Sequence, residues 1–120
     1  MNPITGIALA RIAIGAVALA SPDLAGRLFR LDNRANPQLP YMSRMFGSRE
    51  IVLGAVTLAA KGRTRRKLIA AGIAVDGADA FAGFDAMRSG AVSQSVGIGL
   101  TAPAIGAVVA GAIGLATAGD

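Results

Sequence analysis

The 120 residues of this chain include no cysteine, no histidine and no tryptophan. The first two absences remove disulfides, thiol chemistry and the usual zinc, haem and copper ligands, so neither a metal nor a cofactor is expected. Charge is also scarce. Asp, Glu, Lys and Arg together make up 16% of the chain, where soluble domains carry about 25%. Apolar residues are plentiful instead: 53% of the chain is hydrophobic and sixteen residues are glycine, with a mean hydropathy of +0.56. That balance suits helices packed in lipid and leaves room for one domain, a single transmembrane domain over residues 1–120.

The net charge is +5, but its distribution argues against nucleic acid. Five of the twelve basic residues fall between Lys61 and Lys67, with no aromatic side chains among them to stack on bases. A short basic loop beside a membrane accounts for them better. By the positive-inside rule this loop lies in the cytoplasm. The first apolar run has no basic segment before it and no persuasive small-residue cleavage site, so it reads as a retained helix and not a signal peptide.

Taken in order, the chain reads as four spans. The first covers about residues 2–20, opened by Asn2-Pro3 and carrying Arg11 near its centre. Ser21 and Pro22 start a short interfacial helix over about 22–31, with Leu24, Leu28 and Leu31 on one side and Arg27 and Arg30 on the other. Residues 32–40 form a loop. Further spans cover about 41–60, 68–87 and 95–118, with Pro103 a source of a kink in the last. Runs of this length in lipid must be helical to pair their own backbone. The expected fold is therefore an all-α integral membrane four-helix bundle in the plasma membrane. Both termini and the basic loop lie inside, and the interfacial helix lies outside.

Counting at about 1.5 Å per residue brings Arg11, Arg49, Glu50, Asp76 and Asp79 to a similar depth. Charge at that depth costs about 2.5–3.5 kcal/mol per residue on the insertion scale, so these groups need partners inside the protein. Asp76 and Asp79 are three apart and share a helix face. Arg49 and Glu50 are adjacent and point about 100 degrees apart, so Arg49 is expected to face the aspartates while Glu50 faces Arg11, or the reverse. Arg44, Tyr41, Met45 and Phe46 stand just above them, as a candidate ligand-binding mouth with Met42. Two readings stay open: a working site, and ion pairs that only fix helix packing. In the last span Ala102, Gly106, Ala110, Gly114 and Ala118 recur every fourth residue. This small-residue stripe lets helices approach closely, within the bundle or in a homodimer.

The Arg-containing first helix, the Ser-Pro and short amphipathic helix, the pattern Arg44, Gly47, Arg49, Glu50, Leu53, Gly54, and the pair Asp76 and Asp79 together resemble a family of small bacterial membrane proteins. Its layout is similar to that of the DoxX-like group of four-helix membrane proteins. The resemblance covers nearly the whole chain, and it implies a link to quinone-related and oxidative-stress roles. The residues themselves suggest a membrane-embedded acid/base enzyme acting on a lipophilic small molecule, of isomerase, epoxide-opening or cyclase type. Asp76 and Asp79 would be acid and base, Arg49 and Arg11 electrostatic clamps, and Glu50 the residue that orients one of them. The alternatives are a binding or transport protein for a proton, a small ion or a quinone-like ligand, and a structural accessory subunit.

Overall fold

The computed structural model describes residues 2–117. Their regular structure is entirely helical: α1 (Pro3–Ala20), α2 (Pro22–Leu28), α3 (Leu39–Ala59), α4 (Gly62–Arg88) and α5 (Gln94–Thr117). Of these, α1 and α5 are long and apolar enough to cross a membrane. Ala118, the end of the last expected span, lies outside the described residues.

The helix starts follow from local chemistry. Asn2 caps α1, its side-chain oxygen accepting from the Ile4 amide at 2.8 Å, and Pro3 takes the first helical position, where no amide hydrogen is needed. Ser21 does the same for α2, accepting from Leu24 at 3.3 Å, again with proline following the cap. Ser93 caps α5 by accepting from the Val96 amide at 3.3 Å. Pro103 sits inside α5, which continues on both sides of it.

Two segments differ from the sequence expectation. The interfacial helix was expected to reach residue 31, but α2 ends at Leu28. Arg30 adopts a left-handed conformation (φ 60°), its amide bonds to the Arg27 carbonyl, and the Leu31 amide bonds to Gly26 at 2.7 Å. This closing pattern is a Schellman motif, which satisfies the last carbonyls and turns the chain away before Leu31 can join the apolar side. The second difference is larger. The basic run Lys61–Lys67, expected as a loop, is mostly the opening of α4, which begins at Gly62. The reversal after α3 occupies only Ala60 and Lys61, completed by Gly62 with φ +58°, a conformation that favours glycine.

The helices fall into two compact units. Residues Ala8–Ala59 form one; the segment before Ala8 and the segment from Ala60 onward form the other. In the first unit α1 and α3 run antiparallel with their backbones in close contact. A Cβ placed on Gly15 would lie 2.6 Å from the Gly47 carbonyl oxygen, and one on Gly47 would lie 2.5 Å from that of Gly15. Farther along, a Cβ on Gly54 would lie 2.6 Å from the Ala8 carbonyl oxygen. The buried positions are Ala8, Arg11, Gly15 and Ala18 on α1 and Gly47, Glu50, Gly54 and Thr57 on α3, alternating steps of three and four that keep one seam in register. α2 packs beside α3 through an edge-to-face pair, Phe29 and Phe46, with centroids 6.4 Å apart. Asn33 ties the following loop back, donating to the Pro22 carbonyl and to Asp23, both at 3.0 Å.

In the other unit α4 and α5 form an antiparallel hairpin whose glycines rest mainly on side chains: Gly97 on Met87, Gly111 on Ile73, and Gly83 on the Thr101 hydroxyl. Ile4, from the start of α1, fills the space over Gly114. The four-residue stripe on α5 is therefore not one face. Each step of four advances about 40 degrees beyond a full turn, so Ala102 and Gly106 are exposed, Ala110 is half-buried and Gly114 is buried. Gly90, with φ +82°, makes the turn between the two helices.

Candidate functional site

The most enclosed charged group in the first unit lies midway along the α1–α3 seam. Arg11 and Glu50 are 9% and 5% exposed, and Arg11 donates through one terminal nitrogen to both carboxylate oxygens, at 3.2 and 3.0 Å. Local sequence explains the position. Glu50 lies three residues after Gly47 and four before Gly54, and Arg11 lies three after Ala8 and four before Gly15. The two side chains are thus bracketed by close backbone approaches about one turn to either side. The glycine contacts shut the seam above and below, which leaves the ion pair enclosed. The pairing of Glu50 with Arg11, one arrangement expected from the sequence, is present.

Arg49, next to Glu50 in the chain, is held within the same unit by Phe46. Its guanidinium lies over the Phe46 ring, 5.2 Å from the centroid, and one terminal nitrogen is 3.9 Å from Glu50. With 38% of its side chain exposed, it remains half open where Arg11 is sealed. Phe46 is held between Phe29 on one side and Arg49 on another. The rest of the expected mouth is open: Tyr41, Met42 and Met45 are 62%, 56% and 52% exposed. Arg44 is exposed too, but its Nε reaches the Leu19 carbonyl in the last turn of α1, at 3.4 Å.

In the second unit, Asp76 is buried at 4% exposure and Asp79 is half-buried. Both lie on α4 at the three-residue spacing expected from the sequence. Asp85, nearer the end of the helix, pairs with Arg88 on its exposed side.

Three contributions escaped the sequence reading. Thr57, buried at 7%, extends the α3 seam one step beyond Gly54. Arg66 donates to the Leu115 carbonyl at 3.0 Å and so serves the end of α5 as Arg44 serves the end of α1. Phe29 is the aromatic partner of Phe46. The three-four spacing of small and polar residues along α3 was a signal for Thr57. The arginine caps had none, because they join residues 25 and 49 positions apart.

No protein family, curated protein or solved structure matches this chain. Its chemistry is accordingly read from the residues themselves.

Proposed function

We propose that the chain is a multi-pass integral membrane protein with four spanning helices. In this reading its enclosed polar groups divide into a brace, Arg11 and Glu50, and a candidate acid/base pair, Asp76 and Asp79, acting on a lipophilic molecule. The observation that carries the reading is the inverted distribution of side chains. Among the described residues the buried hydrophobic ones are Ile4, Ala8, Ala18, Ala25 and Ile69, three of them alanine, and they are joined in burial by Arg11, Glu50, Thr57 and Asp76. Large apolar side chains face outward on every long helix, among them Leu9, Val52, Phe81, Ile105, Val109 and Ile113. A water-soluble chain with that partition would expose its greasiest surface and enclose its charges. In lipid the same partition is favourable, with small residues at helix contacts and polar groups turned inward.

The division of labour follows from enclosure. Glu50 is engaged through both carboxylate oxygens by Arg11 and lies between the close contacts of Gly47 and Gly54, which suits an anchor. Asp76 and Asp79 share a helix face and differ in exposure. Closely placed carboxylates of unequal surroundings suit general acid and base roles, and ionisable residues at membrane depth default to a functional reading. The DoxX-like resemblance belongs to this proposal and rests on Arg11 in the first helix, the Ser21-Pro22 start of the short helix, the motif from Arg44 to Gly54, and the pair Asp76 and Asp79. Topology follows from the basic residues at the start of α4: that end is cytoplasmic, and so are both termini.

The test has two arms. The protein is expected to resist alkaline carbonate extraction from membranes; release into the aqueous fraction would end the spanning reading. Asp79→Asn keeps the shape and removes the exchangeable proton. The variant is expected to melt as the wild type does but to lose turnover of, or mass-spectrometric co-purification with, the small lipophilic molecule. A variant that keeps the molecule and instead melts earlier would make Asp79 a packing residue.

A further inference from the structure

The basic opening of α4 has no role in the site described above, and its own helix does not explain it. Lys61, Arg63, Arg65, Arg66 and Lys67 fall within seven residues, and no acidic residue occurs anywhere between Glu50 and Asp76. The first turn of α4 contains no acid, and the Lys61 side chain makes no capping bond. Positive charge gathers where the helix dipole is already positive, which is unfavourable. Arg63 and Lys67, four apart and both exposed, form a like-charge pair on one face. Arg66 is turned the other way, toward the Leu115 carbonyl. Among the described residues none of Lys61, Arg63, Arg65 or Lys67 enters an ion pair.

Helix length gives this patch a level. The 27 residues of α4 extend for about 40 Å, whereas a hydrocarbon core needs about 30 Å. The apolar part starts at Leu68, so the residues before it project by roughly 9 Å as rigid helix. A projection of that size ends among the lipid headgroups. Arg66 also fastens it beside the end of α5, itself an apolar helix long enough to cross.

We propose that Arg63 and Lys67, with Lys61 and Arg65 at the edge, bind the phosphate of anionic phospholipid headgroups. The inference rests on the membrane-spanning reading. An anionic headgroup removes the repulsion between the two cations and opposes the helix dipole, and an extended phosphate-bearing surface is what a basic helix end beside an apolar span meets. Nucleic acid fits less well, since no aromatic side chain lies in the run to stack on a base.

The experiment places the protein in nanodiscs of phosphatidylcholine with one-fifth phosphatidylglycerol and compares the lipids retained after mild delipidation by native mass spectrometry. The wild type is expected to retain phosphatidylglycerol preferentially. The double variant Arg63→Gln/Lys67→Gln should lose that preference by roughly tenfold, while Arg27→Gln, which neutralises an exposed arginine elsewhere, should keep it. Equal preference in the wild type and the double variant overturns the proposal. So does full displacement of the lipid by soluble glycerol phosphate, which would mark a free-phosphate site. Failure of the wild type to enter discs either with or without phosphatidylglycerol is a separate result: it refutes the spanning reading and takes this proposal with it.

Discussion

The α1–α3 pair and the α4–α5 hairpin are both built on glycine, yet the glycines meet different things. In the first pair Gly15, Gly47 and Gly54 face backbone carbonyl oxygens of the opposing helix, which cannot move without moving the helix. In the hairpin Gly97 and Gly111 face Met87 and Ile73, side chains that have other rotamers, and Gly83 faces the Thr101 hydroxyl. The first pair encloses an ion pair at its middle; α5 carries no charged residue, so the hairpin has no ion pair between its two helices. Similar composition has thus produced a stiff seam that holds charge in place and a more adaptable one. Close backbone contact excludes water from Arg11 and Glu50, so the seam and the bridge depend on each other.

Breaking the ion pair should have the largest effect. Glu50→Leu leaves Arg11 buried without its carboxylate, and thermal melting in detergent should show a loss of about 3–5 kcal/mol. Adding Arg11→Met should restore most of it, because an apolar pair of similar volume often replaces a buried salt bridge at little cost. Additive losses in the double variant would mean that the seam does not depend on the bridge.

The glycine contrast itself comes next. Gly47→Ala brings a methyl against the Gly15 carbonyl and should cost about 1–3 kcal/mol. Gly111→Ala should cost less than about 1 kcal/mol, since Ile73 can turn aside. Equal losses at the two sites would erase the distinction between the helix pairs.

Arg66→Gln removes a charged donor from the end of α5 and should cost about 1 kcal/mol. It should increase hydrogen exchange in the last turn of that helix and leave α1 unaffected. The smallest expected effect is at Gly106, where nothing lies within 4 Å of an added Cβ. Gly106→Ala should be neutral or stabilise α5 by up to about 1 kcal/mol through helix propensity. A homodimer through Ala102 and Gly106 would show itself as weakened association in the same variant.

How much of this the sequence disclosed depended on range. The helices and their starts were legible because the signals are local: Asn2-Pro3, Ser21-Pro22, and apolar runs too long for strands. The pairing of Arg11 with Glu50 was legible as one of two options, since buried charge demands a partner and few were within reach. The small-residue stripe on α5 marked a close contact at Gly114 but not at Ala102 or Gly106, because a strict repeat of four drifts around a helix of 3.6 residues per turn. The repeat of alternating threes and fours on α1 and α3 marked the buried seam. The end of α2 was obscured by Arg30, a residue type that seldom adopts the left-handed conformation found there. The start of α4 was obscured because its first two turns are too polar to resemble the rest of the helix.

The two arginine caps bear on the order in which the protein can be completed. The final carbonyls of a helix have no partner within it, and neither α1 nor α5 has a basic residue in its own last turn. The arginine that reaches the end of α1 is Arg44, made later than the helix it serves; the one that reaches the end of α5 is Arg66, made earlier. During synthesis α1 must therefore wait with an open end until α3 follows it, whereas α5 arrives at an arginine already in place. The end of α1 thus stays open for the stretch of synthesis between Ala20 and Arg44, whereas α5 is closed as soon as Leu115 is made.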